Sequence, residues 1–448
     1  MRMNRKVWLC LALFLFSLIV FRVSPRGQIY DSQLGVLTSY QWITTGEPDL
    51  DPFVEQLGGL NRAGRPANYR LVESETGYRL FYPPGTPMLI APFVGLAALA
   101  GWTPVDEEGR YDAGSERTLQ RWLAALAMSL TGVLFFLMAR LWLPERASLL
   151  LLLAALLGSP VWSTASRSLW PQTLTLALLA GSAFLLMRGQ REKVSLQPIL
   201  LASLLAWATF CRPTASIAAL SVVLWAAFYR REAVFPLVVT GAIWVGVFLG
   251  IFQFVYGSWL PPYYDLETHV FGFLMPVALA GNLISPARGV LIYSPILWVV
   301  LFWLIRFRKS LPEPSLAVLA VALLFSHWLL ISTHAPWWGG YAYGPRLFTE
   351  TVPWWVMLGI LGYSARRSAP GNWAPWARAT ALGLLALSVL MNGVGAISES
   401  AAKWNENEYQ PHFEQRLWSL PDAPFLAPIF GPDRRASSSP ALSAPEKS

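Results

Sequence analysis

Eleven stretches of the chain are apolar over most of their length: 7–23, 118–139, 147–165, 169–187, 197–211, 213–229, 234–256, 290–305, 315–332, 348–363 and 377–397. Runs of this kind approach the roughly 20 residues an α-helix needs to cross a bilayer, and they predict about eleven transmembrane helices. A further apolar stretch, 86–101, is short and holds Pro87 and Pro92. It predicts an interfacial or re-entrant helix outside the membrane. Before it, Leu34, Leu37, Tyr40 and Ile43 recur at helical spacing, as in a helix lying along a membrane surface. The predicted fold class is all-α and polytopic.

Composition agrees. Of 448 residues, 54% are hydrophobic and 13% charged, too little charge to cover a soluble protein of this length. The net charge of +8 suggests a nucleic-acid partner only until the basic residues are located. They cluster between apolar runs, which is how membrane topology is written, so the implied partner is the lipid bilayer and not a nucleic acid. With 86–101 outside the membrane, one side receives Arg2, Arg5, Lys6, Arg140, Arg146, Arg188, Arg191, Lys193, Arg230, Arg231, Arg306, Arg308, Lys309, Arg366, Arg367 and Arg378. The short loops of the other side receive Arg167, Arg212, Arg288 and Arg346. Counting 86–101 as a span would invert every later loop.

The expected protein is therefore a multi-pass protein of the cell membrane with a cytoplasmic N-terminus. Residues 1–400 form the membrane domain, with large outer loops at 24–117 and 257–289. Residues 401–448 form an outer tail whose end, 434–448, is Pro/Ser/Ala-rich and expected to be disordered. The N-terminal run resembles a signal peptide, but Arg22, Val23, Ser24, Pro25 and Arg26 offer no small-residue cleavage site, so an uncleaved first helix is expected. Cys10 and Cys211 show neither metal-ligand spacing nor a disulfide framework.

The helix interiors carry almost no ionisable residues; His327 and Glu350 lie towards the ends of their spans. Coupled transporters place charges near the midplane, so this pattern argues against transport. Unusual chemistry gathers at the outer face instead. Asp31 stands just beyond the first helix, where it can cap the amphipathic helix, act as a base, or do both. Asp49-Leu50-Asp51 spells the metal-diphosphate pattern of nucleotide-sugar enzymes, but it lies outside, where a solvated turn is expected. FYPPGTPMLIAPF (81–93) joins a rigid Pro-Pro-Gly turn to the interfacial helix. SPARGVLIYSP (285–295) puts Arg288 at a helix end, where it can snorkel to head groups or bind a ligand. WWGGYAYGPR (337–346) offers aromatics suited to an interfacial belt. A belt needs neither adjacent glycines nor a Gly-Pro-Arg turn, whereas glycine permits close backbone approach and arginine matches phosphate with paired donors.

These elements, in this order, resemble those of bacterial membrane glycosyltransferases of the GT-C type, which use a polyprenyl-phosphate-linked sugar; protein O-mannosyltransferases and the lipid A aminoarabinose transferase are related. The resemblance covers about 1–400. It implies a GT-C-like fold and transfer of a sugar from a polyprenyl-phosphate carrier to a glycan, lipid or protein hydroxyl, with inversion. It implies that Asp31 is the general base. Many relatives have a second acidic residue next in the chain, where this protein has Ser32, and no metal or other cofactor is assigned. A lipid phosphate is a good leaving group, so the chemistry asks for a base and for cations to hold the departing phosphate. Arg346, Arg288 and Arg212 are the candidates for the phosphate. Tyr82, Tyr293, Tyr341, Tyr343, Trp337 and Trp338 are the candidates for orienting or stacking on the donor sugar. The alternative is a non-catalytic protein that binds or transports a lipid-linked sugar in envelope polysaccharide assembly.

Overall fold

The computed structural model describes residues 5–62, 64–264, 274–371, 373–406 and 413–432. The chain enters through α1 (Arg5–Val23) and passes along the outer loop in α2 (Gly35–Thr45). A two-stranded antiparallel hairpin follows, β1 (Leu71–Ser74) and β2 (Gly77–Leu80), then α3 (Gly85–Leu99). The membrane domain continues with α4 (Ala113–Arg140), α5 (Glu145–Leu157), α6 (Pro171–Glu192), α7 (Pro198–Cys211), α8 (Ser216–Tyr229) and α9 (Val234–Tyr256). After the second outer loop come α10 (Pro276–Ile284), α11 (Val290–Tyr293), α12 (Ile296–Arg306), α13 (Pro314–Ile331), α14 (Val352–Ser368) and α15 (Pro375–Ile397). Three short helices close the described chain: α16 (Glu399–Glu406), α17 (Phe413–Arg416) and α18 (Ala427–Phe430). The 434–448 stretch expected to be disordered, and 265–273 of the second outer loop, lie outside the described residues.

Each of the eleven predicted ranges carries helix. Among the described residues α1, α4, α6, α9 (with the turn before it), α13 and α15 are long and apolar enough to cross a membrane by themselves. The protein is an all-α, multi-pass membrane protein. Two spans are interrupted. At 147–165, Gly158 ends α5 and Pro160 precedes a π-turn at Val161–Ala165; at 290–305, Pro295 separates α11 from α12, because proline cannot donate to the preceding turn. The lone helix over 86–101 spans 15 residues, about 22 Å at 1.5 Å per residue, short of the roughly 30 Å hydrocarbon core. It packs on α2 and against the end of α7.

The core joins α4, α6, α7, α8, α13 and α14 through fully buried side chains such as Phe135, Leu176, Leu205 and Met357. Hydrocarbon tails are as apolar as leucine, so close packing rather than water exclusion holds such helices together. Small residues make that possible: Gly132 faces Leu156, and Gly362 faces Trp303. Two polar ties fix the C-terminal end of α1. Buried Arg167 donates to the Phe21 carbonyl at 2.6 Å and the Ser24 carbonyl at 3.0 Å, and the Ser168 hydroxyl donates to the Gln28 carbonyl at 2.7 Å. The strand of chain leading to Asp31 is thereby anchored to the α5–α6 connection.

Candidate functional site

Asp31 does not cap α2. The helix begins at Gly35, after Leu34 in a left-handed conformation (φ 74°), and without a side-chain cap. The Asp31 carboxylate instead pairs with the Arg346 guanidinium and accepts hydrogen bonds from the hydroxyls of Tyr69 (3.3 Å) and Tyr82. Burial works against ionisation, but the charge of Arg346, its hydrogen bond, that of Tyr82 and the nearby Arg70 outweigh it, and the carboxyl is held below its ordinary value. The two tyrosines respond in the opposite sense. Burial and the Asp31 charge push Tyr69 up to about 12, and raise Tyr82 as well. Both phenols therefore stay neutral donors.

The WWGGYAYGPR segment explains itself in this setting. Gly339, Gly340 and Gly344 have φ of 74°, 71° and 63°, the left-handed region that glycine adopts without a Cβ penalty. The turn aims three successive carbonyls at two arginines. Arg288 donates to Trp338 O (2.9 Å) and Gly340 O (3.3 Å), and Arg346 to Gly339 O (3.1 Å). Arg346 also lies over the Trp170 ring, 3.9 Å from its centroid. Tyr30 connects this wall to the loop, since its ring stands 6.3 Å from Trp170 and stacks on Tyr341 at 5.4 Å. Burial and Glu406 push the Tyr30 phenol up to about 12.

The candidates divide into two groups. Asp31, Arg346, Tyr82 and Tyr341 converge on one place. Arg288 is 2% exposed, also donates to Ala287 O at 3.0 Å and lies 5.7 Å from the Trp404 ring centroid. Tyr343 donates to Met391 O at 2.7 Å and packs edge-on to Tyr293. Gly344 and Gly395 leave the room these rings need, since a Cβ at either would lie within 3 Å of Tyr293 or Tyr343. Trp337 fills the space beside Gly281, in a cluster with Trp404, Phe413 and Leu417; Trp338 packs on its edge. Helices α16 and α17 thus pack against the loop.

Arg212 lies in a second polar group. Its Nε is 2.8 Å from Glu350 Oε2 and donates to Thr214 Oγ1 at 2.9 Å. Glu350, 2% exposed, also meets His327 Nδ1 at 3.4 Å, while His327 Nε2 sits 2.8 Å from Leu347 O. Among the described residues only Nε of Arg212 is engaged. Gly85 explains why the Pro-Pro-Gly turn lies here. A Cβ on it would come within 2.7 Å of the Phe210 and Cys211 backbone, so the absence of a side chain lets the Pro-Pro-Gly turn pack on the end of α7. Tyr263 spans the two groups: burial raises its phenol, and Arg212, Asp31, Arg346 and Glu350 all act on it electrostatically. In the Asp49-Leu50-Asp51 turn Asp51 is exposed and Asp49 half-buried. Asp49 pairs with buried Arg79 at 2.7 Å, and Asp51 accepts from the Tyr78 amide, stapling the hairpin.

Tyr30, Tyr69, Arg70, Trp170 and Tyr263 were not anticipated. Tyr30 immediately precedes Asp31, while the other four reach the site from distant parts of the chain. Ser32, in the place of a second acid, is buried against Ser168 at 3.3 Å.

This arrangement belongs to a multi-pass membrane protein with the GT-C fold. The crystal structure of ArnT from Cupriavidus metallidurans bound to undecaprenyl phosphate superposes with a TM-score of 0.52 at 14% identity, covering 90% of this chain and 69% of that one. No protein-family model and no curated protein sequence matches the chain.

Proposed function

We propose that the protein is a membrane glycosyltransferase that moves a sugar from a polyprenyl-phosphate carrier to an acceptor hydroxyl at the outer face, with inversion. The observation that carries this reading is the Asp31 carboxylate, ion-paired to Arg346 and held by two neutral tyrosine hydroxyls. The fold shared with a protein that was crystallised with undecaprenyl phosphate supports the donor class, and the distribution of basic residues supports the outer face.

In the proposed step the acceptor oxygen attacks the anomeric carbon as the bond from that carbon to the phosphate oxygen breaks. The electron pair leaves with the lipid phosphate, and the acceptor proton passes to Asp31. Arg346 and the terminal nitrogens of Arg212 hold the departing phosphate, which supplies the electrostatic stabilisation such a transition state needs. Arg288, Tyr293, Tyr343, Trp337 and Trp338 keep the loop in shape, and Tyr82 and Tyr341 face the donor. Donor phosphate competes with Asp31 for Arg346. As that cation turns towards phosphate, the carboxylate loses the partner that made it a weak base, and it becomes basic when the acceptor is present.

Asp31→Asn in membranes supplied with purified polyprenyl-phosphate sugar is expected to insert normally and to release no polyprenyl phosphate above background. Full turnover by that variant overturns the assignment. Donor binding without turnover by the wild type would establish the carrier-binding alternative.

A further inference from the structure

A second lipid-facing feature lies away from Asp31. Helices α5, α12, α14 and α15 enclose a cavity of about 550 Å³ whose walls are mostly apolar. It follows α14 from Val352 to Arg366, about 21 Å at 1.5 Å per residue. That volume over that length makes a slot one hydrocarbon chain wide. Leu150 and Leu382 on its rim are 49% and 56% exposed, so the slot communicates with the surrounding bilayer.

The two ends differ. Phe348 and Ser294 stand at the end nearer the outer face, while Arg366, Arg367 and Arg378 gather at the other, and no carboxylate lines any part. The basic end is the cytoplasmic one by the same charge distribution that orients the whole chain. Arg366 is more than a solvated topology residue. Its guanidinium lies 5.7 Å from the Phe307 ring and 5.8 Å from the Trp373 ring, and it donates to Gly371 O at 3.0 Å. It is held at the slot's mouth, where an anionic head group on a chain occupying the slot would meet it.

We infer that this slot binds an anionic glycerophospholipid of the cytoplasmic leaflet, with one acyl chain between α5 and α15 and the phosphate held by Arg366, Arg367 and Arg378. Basic pockets between transmembrane helices on that side are suited to anionic lipid head groups. The site is separate from the proposed transfer reaction, and its head group is at the opposite face from Asp31.

Native mass spectrometry of the full chain in mild detergent tests it, with phosphatidylglycerol, phosphatidylcholine and polyprenyl phosphate offered in turn. Phosphatidylglycerol is expected to be retained one to one and at least tenfold more than phosphatidylcholine. The triple variant Arg366→Ala/Arg367→Ala/Arg378→Ala should lose that preference. Because removing three basic residues can disturb insertion, Ala154→Trp provides a second test: it fills the slot, leaves the charges, and should reduce retention at least tenfold. Equal retention of phosphatidylcholine, displacement of phosphatidylglycerol by polyprenyl phosphate, or undiminished retention by Ala154→Trp would each overturn the inference.

Discussion

Two arginine–carboxylate pairs flank Tyr263, and they are built in opposite senses. In the Arg212–Glu350 pair the carboxylate side chain is 2% exposed and is surrounded by Thr214 and His327 as well as Arg212. It holds the arginine by Nε, and among the described residues the terminal nitrogens make no hydrogen bond. In the Arg346–Asp31 pair the side chains are 13% and 18% exposed, and it is the arginine that is fixed, by the Gly339 carbonyl and the Trp170 ring. One pair presents a cation and the other presents a carboxylate. A site that must hold a leaving phosphate and accept a proton needs one of each.

Substitution of the two acids separates the roles most sharply. Asp31→Asn should lower sugar transfer about 10²–10⁴-fold, the usual contribution of a positioned base, with a small change in thermal midpoint in detergent. Glu350→Gln should do its main damage to the fold, because an arginine left without its counter-charge in a buried pair typically costs about 3–5 kcal/mol. A midpoint unchanged in Glu350→Gln, or one as low in Asp31→Asn, would erase the distinction. Gly85→Ala comes next. The added methyl meets backbone rather than a movable side chain, so about 1–3 kcal/mol of stability should be lost. The turn that carries Tyr82 would be pushed off the end of α7, and misplacement of about 1 Å can cost on the order of 10²-fold in rate. Activity assays at a temperature well below the variant's midpoint separate the two effects.

The pH dependence sharpens the comparison further. Asp31 is held below its ordinary value in the free protein, so its ion pair stabilises the fold above the unfolded carboxylate pKa. That contribution is lost as pH falls through the folded value. In the donor complex Arg346 is shared with phosphate, and the carboxylate should titrate at higher pH. The acidic limb of kcat, which reports the complex, is therefore expected at higher pH than the acidic limb of kcat/KM, which reports the free enzyme. Coincident limbs would mean that Arg346 stays with Asp31 throughout.

Local sequence carried the helices well and the contacts poorly. Apolar runs long enough to span also dictate backbone hydrogen bonding within the run, so every predicted range contains helix, and even the short 86–101 stretch proved to be 15 residues long. The β1–β2 hairpin was not legible, since two strands of 4 residues leave too little alternation to detect. Within the site, Gly339 and Arg346 were legible because a left-handed glycine turn beside an arginine is unusual between apolar spans. Trp170, by contrast, reads as one more interfacial tryptophan, and it lies more than a hundred residues from both Tyr30 and Arg346, which it contacts. The same distance hid the partnership of Arg212 with Glu350, although each was visible alone. Ion pairs formed across separate helices leave no periodic trace in either helix.

The smallest expected effect tests the finest part of the arrangement. Tyr82→Phe removes one hydroxyl that donates to Asp31 while keeping the ring against Phe81 and Tyr263. A hydrogen bond to a charged group contributes about 1.5–3 kcal/mol, but Tyr69 and Arg346 remain to hold the same carboxylate, so the loss in transfer should fall at the low end, about tenfold. The direction of the pH change is the more telling readout. With one donor gone the carboxylate is less stabilised as an anion, so its acidic limb should move to higher pH in kcat/KM. Tyr69→Phe, which removes the donor to Oδ1, should act in the same direction. A rate loss without that displacement would mean that Tyr82 serves the donor sugar alone, and that Asp31 takes its character from Arg346 and Tyr69.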